Sequence, residues 1–256
     1  MTILSVNLNK VALIRNSRDT TSPSPSDFAA IAVTAGAQGI TVHPRPDQRH
    51  IRASDCHELA ASLGVEFNIE GNPFAPPAPS GRTNVSDYPG FMSLVEATRP
   101  AQVTLVPDND AQLTSDHGFD LRQDSERLAP IIAQLKTWEC RVSVFMDPDP
   151  EQMTLAAEIG ADRIELYTEA YAVAHATGDY HSILAAFVDT AIAAHEVGLG
   201  VNAGHDLNLA NLPDFKIPHL LEVSIGHALT VDALRYGFSE SVKRYREALD
   251  HRTAGD

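Results

Sequence analysis

The chain has 256 residues, with 19 basic and 34 acidic side chains and a formal charge of −15. That balance argues against a nucleic-acid or anionic-membrane binder, since both need a basic surface, yet it leaves room for a small basic pocket. Apolar residues make up 43% of the chain, enough for a sizeable core, and no apolar run approaches the roughly 20 residues of a membrane-spanning helix.

In chain order, the opening MTILSVN reads as a strand and lacks the basic start, long apolar segment and cleavage site of a signal peptide. Short, mostly apolar strands are expected at 3–6, 39–42, 66–69, 102–106, 141–145, 163–166, 199–201 and 221–225. Helical patterns fall between them at 27–35, 54–63, 120–138, 150–159 and 180–197, several of them ended by a glycine such as Gly36, Gly64, Gly160 or Gly198. Repeated strand–helix units imply parallel strands joined by right-handed crossovers. Eight such units predict a (β/α)8 TIM barrel with extra helices, spanning 1–250 as a single domain with a frayed tail at 251–256. An open doubly wound sheet is the second choice.

The segment 71–90 (GNPFAPPAPSGRTNVSDYPG) holds five prolines and cannot be a continuous helix. It is a proline-rich insertion after strand three, placed to cover a site, to contact another subunit or to be a neutral surface loop. Cys56 and Cys140 form neither a disulfide framework nor a zinc-ligand spacing and read as reduced buried thiols, consistent with a cytoplasmic protein.

Barrel chemistry sits where strands end and βα loops begin. The positions there are Asn7, Asn9 and Lys10; His43, Arg45, Arg49 and His50; Asn68 and Glu70; Asp108 and Thr114; Asp147; Glu165 and Thr168; Asn202 and His205; Gly226 and His227. Four of the eleven histidines fall in this set, which makes the set more informative than any member. Glu70 fits either acid–base work in the barrel mouth or a salt bridge to Arg45 or a neighbour. Glu165, inside its strand, reads as a structural ion-pair partner. Gly204-His205 and Gly226-His227 put glycine turns after the last two strands, where this fold commonly holds phosphate. Arg15, Arg18, Arg45, Arg49 and Arg52 add anion contacts early in the chain. A metal site built from His43, His50, Glu70, His205 and His227 competes with this reading, but no tight ligand spacing such as His-x-His supports it.

The stretches VNLNKVALIRNSR (6–18), GITVHPRPDQRHI (39–51), FNIE (67–70), TLVPD (104–108), LTSDHGFD (113–120), IELYTEAYA (164–172), VNAGHDL (201–207) and EVSIGHAL (222–229) resemble the pyridoxine 5′-phosphate synthase family over nearly the whole chain. The resemblance implies a barrel that assembles as a homo-oligomer, commonly an octamer, and needs no metal or organic cofactor. It implies condensation of 1-deoxy-D-xylulose 5-phosphate with 3-amino-2-oxopropyl phosphate to pyridoxine 5′-phosphate, inorganic phosphate and water. By motif, His43 and Glu70 match the family's proton acceptors and His205 its proton donor. Asn7, Asn9, Lys10, Arg45, His50 and Thr114 fall at contacts to the deoxyxylulose phosphate. Arg18, Asp206, Gly226 and His227 fall at contacts to the amino-oxopropyl phosphate.

Three features depart from the family pattern. Asn9-Lys10 stands where many members have Asp-His; Lys10 reads as a variant of the same binding role, with a Schiff-base lysine as the sharper alternative. Asp206 replaces a glycine after the motif histidine and would repel phosphate unless Lys10 or an arginine neutralises it. The third departure is the proline-rich insertion.

Overall fold

The computed structural model describes residues 2–18, 20–109 and 111–253. Eight parallel strands close into a barrel: β1 (Ile3–Asn7), β2 (Gly39–Val42), β3 (Glu66–Gly71), β4 (Gln102–Leu105), β5 (Arg141–Met146), β6 (Arg163–Tyr167), β7 (Gly200–Gly204) and β8 (Leu220–Ile225). Closure is made by β1 and β8, with Ile3 opposite Glu222 and Val6 opposite Ile225. All eight expected strands are present, which settles the closed barrel over the open sheet.

The helices are α1 (Asn9–Asn16), α2 (Pro25–Thr34), α3 (Ala53–Ser62), α4 (Phe91–Thr98), α5 (Leu121–Thr137), α6 (Met153–Glu158), α7 (Glu169–Thr177), α8 (His181–Glu196), α9 (His227–Tyr236) and α10 (Phe238–Thr253). Local chemistry starts several of them. Ser24 accepts a hydrogen bond from the Asp27 amide with Pro25 in the first turn of α2, and Asp120 accepts from the Arg122 amide at the head of α5. The helix expected at 150–159 is a 3-10 turn, Pro150–Gln152, that runs into α6. α10 runs to Thr253, so residues 251–253 of the expected tail are helical, and residues 254–256 lie outside the described residues.

The strands alternate. On β3, Phe67 and Ile69 pack into the main apolar cluster, while Asn68 and Glu70 belong to the other face. That second face is polar. Gln102, Arg141, Arg163, Asn202 and Glu222 hydrogen-bond with one another across β4 to β8, and Asn68, Thr41 and Thr104 do so one level along the strands. The apolar core therefore lies between strands and helices, and the barrel lumen is a hydrogen-bonded polar stack instead of the usual layers of branched side chains.

The insertion after β3 is irregular, pinned by one antiparallel bridge between Ala78 and Tyr88. Its prolines deny it a ladder. It is held by Gln48 Nε2 donating to the Ser86 carbonyl at 2.7 Å and by the Arg127 guanidinium stacked 3.8 Å over the Phe74 ring.

Candidate active site

A cavity of about 340 Å³ opens at the C-terminal ends of the strands. It is lined by Asn7, Asn9 and Lys10 after β1, His43, Arg45 and His50 after β2, Glu70 on β3, Thr114 after β4, and His205, Asp206, Gly226 and His227 after β7 and β8. Every residue that the family resemblance assigns to the site is in this lining except Arg18, which is exposed just past the end of α1, outside it.

The helix starts explain the anion-ready character. Asn9 opens α1 and His227 opens α9, so two helix N-termini line the cavity with favourable dipoles and no side chain of their N-cap residues closing them, although the Asn9 amide itself donates to Asn7 Oδ1 at 3.0 Å. Gly226 lets the chain pass close to Asn7: a Cβ there would lie 3.1 Å from the Asn7 Cβ, tighter than most such contacts. Arg15 does not serve the site. Its guanidinium is buried against Asp55, at 2.5 and 2.9 Å, and anchors α1 to α3. Arg52, ahead of α3, lies outside the cavity lining as well.

Glu70 lies on β3 itself, one residue before the strand's end, and is almost fully buried. Its Oε2 accepts from Asn7 Nδ2 at 3.4 Å and stands 3.8 Å from His43 Nδ1; Oε1 has no hydrogen-bond partner among the described residues. Burial, then the charges of Glu165, Glu222 and Asp108, push its carboxyl well above the usual range, which favours the protonated form. Of the expected alternative, a bridge to Arg45 or a neighbour, the Arg45 bridge is not formed, because Arg45 pairs with Asp108 at 2.5 Å; the neighbour within reach is His43.

His43 is buried, its backbone amide donating to Asn9 Oδ1 at 2.8 Å. His50 is also buried. Its Nδ1 accepts from the Ile51 amide at 2.9 Å, and burial, with the nearby His43, Arg45, Lys10 and Arg49, holds the ring well below the usual imidazole pKa. A neutral ring accepting at Nδ1 keeps its proton on Nε2 as a donor. His205 is packed against Phe145 and Tyr167, with ring centroids 4.9 and 5.6 Å away. Burial of its ring, then His43, lower its pKa to about 4. Both His205 (φ +64°) and Asp206 (φ +53°) lie in the left-handed region, and the Thr168 hydroxyl donates to the Gly204 and His205 carbonyls beneath them.

Asp206 is only partly neutralised. His227 and Lys10 pull its pKa down, but desolvation and Glu169 outweigh them and raise it. Glu165 corrects the sequence reading. It lines the cavity with no ion pair among the described residues, and burial and then Glu222 raise its pKa to about 8. Asp108, noted at a strand end but given no role, is the residue that sequence reasoning missed: it joins His43 to Arg45. Among the described residues, no three His, Cys, Asp or Glu side chains gather as a metal site.

The insertion does not roof the large cavity. With Pro44, Arg45, Pro46 and Asn109 it walls a second space of about 170 Å³ that also touches His43 and Asp108.

These features define a class: a (β/α)8 barrel with an anion-ready mouth in which two histidines and a protonatable carboxyl line one cavity. The chain belongs to the family described as pyridoxal phosphate biosynthesis protein PdxJ, whose model matches residues 4–251. It is 55% identical over 249 residues to a pyridoxine 5′-phosphate synthase of Xanthomonas campestris pv. campestris, covering 95% of this chain and 94% of the relative. It is 51% identical to one from Xylella fastidiosa, covering 97% and 95%. Among solved structures, the fold is similar to KGPDC from Streptococcus mutans (TM-score 0.61, 8% identity, 98% of each chain). It is also similar to a thiamine phosphate pyrophosphorylase from Pyrococcus furiosus (TM-score 0.55, 11% identity, 98% of this chain and 96% of that one).

Proposed function

We propose that this chain condenses 1-deoxy-D-xylulose 5-phosphate with 3-amino-2-oxopropyl phosphate to give pyridoxine 5′-phosphate, inorganic phosphate and water. The observation that supports this best is the meeting of His43, Glu70 and His205 in one cavity whose rim carries two helix N-termini and Arg45. The reaction is a chain of proton movements. The substrate amine adds to a ketone and water leaves to form an imine, a C–H proton is removed, phosphate is eliminated, and carbon–carbon bond formation closes the ring, which becomes aromatic with loss of a second water. Groups able to exchange protons near neutrality suit each step.

The resting protonation orders those roles. A protonated Glu70 gives a proton first, which suits loss of water, and then accepts the C–H proton as carboxylate. A neutral His205 accepts before it donates. Arg45, His50, Asn7, Asn9, Lys10 and Thr114 hold the deoxyxylulose phosphate, and Asp206, Gly226 and His227 the amino-oxopropyl phosphate. Arg18, exposed and outside its own cavity, is left to reach the amino-oxopropyl phosphate across a homo-oligomer, which we take to be an octamer in the cytoplasm.

The test mixes metal-stripped protein with both substrates and follows pyridoxine 5′-phosphate and phosphate together. Matched release of the two, insensitive to a chelator, is the expected result. Tight binding without turnover would reduce the chain to a metabolite binder, and turnover lost on chelation would point to a metal-dependent sugar-phosphate enzyme.

A further inference from the structure

His43 lies between two carboxyl groups that arrive from different strands. Its Nδ1 is 3.8 Å from Glu70 Oε2, and its Nε2 is 3.2 Å from Asp108 Oδ2. The same Oδ2 lies 2.5 Å from Arg45 Nη2, so one oxygen serves two cations or donors. All four side chains are at most about 6% exposed. Asp108 is held from other sides as well: Ser115 Oγ lies 3.5 Å from Oδ2, and Asn72 Nδ2, at the root of the insertion, donates to the Asp108 carbonyl at 2.6 Å. The loops after β2 and β4 therefore converge on this one carboxylate, and the loop after β3 holds the backbone of the same residue.

We propose that Asp108 is a positioning residue for the reaction: it fixes the His43 proton on Nε2, leaving Nδ1 as the basic nitrogen toward Glu70 and the cavity, and it trades its charge between His43 and Arg45 when a substrate phosphate engages that arginine. This rests on His43 acting as a base, as set out above. The chemistry follows from the two distances. A carboxylate only accepts, so the imidazole nitrogen facing it carries the hydrogen. His43, through its charge and its hydrogen bond, and then Arg45 keep Asp108 below the usual carboxylate range despite its burial, so it remains the anion of the group. In the free protein much of that charge is spent on Arg45, whose Nη1 also donates to the Asn109 and Gln112 carbonyls at 3.0 and 3.2 Å. A phosphate that takes over Arg45 releases the Asp108 charge toward His43, and the base strengthens when substrate is bound.

The titratable and charged groups around His43 are Glu70, Asp108, Arg45, His50, His205 and Lys10.

The experiment titrates 15N-histidine-labelled protein by NMR, with His43 assigned from the spectrum of His43→Gln, in wild type, Asp108→Asn and Asp108→Glu. The wild-type ring is expected as the Nε2–H tautomer. Asp108→Asn should lower its pKa by about one to three units, from the loss of an opposite charge at this range, and Asp108→Glu should restore most of it. Adding inorganic phosphate should raise the His43 pKa in wild type and not in Asp108→Asn. In turnover, Asp108→Asn should lower kcat at least tenfold, leave the KM for the sugar phosphate unchanged or lower, and move the acid limb of the pH profile to lower pH. An unmoved His43 titration, or a raised KM with kcat intact, would overturn the proposal. The NMR arm reads His43 whether or not the two substrates are turned over, so a failure of the synthase reading shows separately as absent product with a normal titration.

Discussion

Burial raises the carboxyls of Glu70, Glu165 and Glu222 in one barrel lumen, Glu165 and Glu222 add to the rise at Glu70, Glu222 adds to it at Glu165, and Glu66 adds to it at Glu222, which Arg163 meets at 3.1 Å. The sign of the pH effect follows. Glu165 is pushed up to about 8 and Glu222 to about 7, whereas an unfolded glutamate titrates near 4.3, so the folded chain keeps protons that the unfolded chain has lost. That contribution to stability is complete below about pH 4 and is lost as pH rises through 7 to 8. Thermal unfolding should therefore fall between pH 6 and pH 9, and Glu165→Gln should flatten the fall; an identical pH dependence in the variant would contradict the placement. Much of this chemistry was readable from residue type and position, since strand ends in a barrel point to one face. Glu165 was misread because an in-strand carboxylate usually has a partner, and only the closed lumen shows that the nearest charge is another glutamate. Arg15 was misread for the opposite reason: its partner Asp55 is 40 positions away in sequence.

At the scale of elements, all eight strands were legible because each is a short run bounded by turn residues. Five helices, α1, α4, α7, α9 and α10, were not marked out. Neither α1 nor α9 has a side-chain cap, and both begin at residues, Asn9 and His227, whose evident meaning is a binding role. Strand β7 was cut short because Asn202, Ala203 and Gly204 carry little β preference; parallel pairing with β6 and β8 extends it. The loop between β4 and α5 docks through Gly118, where a Cβ would lie 2.3 to 2.5 Å from the backbone of Met146 and Asp147. Gly118→Ala should lower stability by about 1–3 kcal/mol through this overpacking and displace Thr114 from the cavity. Urea unfolding alongside the KM for the sugar phosphate measures both, and a neutral result in both would refute the docking.

The whole molecule separates stability from chemistry by layer. Apolar packing between strands and helices holds the barrel, which leaves the lumen and the C-terminal mouth free to carry polar and titratable groups. Repeated strand–helix units made that architecture readable in advance. The polar lumen was harder to foresee, because an alternating strand gives no sign of which face a closed barrel turns inward. The central claim is that the proton-exchanging groups of the mouth perform the reaction and the surrounding donors bind its substrates. The most direct test measures turnover of Glu70→Gln beside its affinity for each substrate. The glutamine keeps the shape and removes the exchangeable proton, so turnover should fall by about 10² to 10⁴ while affinity stays within about threefold. Turnover within tenfold of wild type, or affinity lost in step with turnover, would contradict the account.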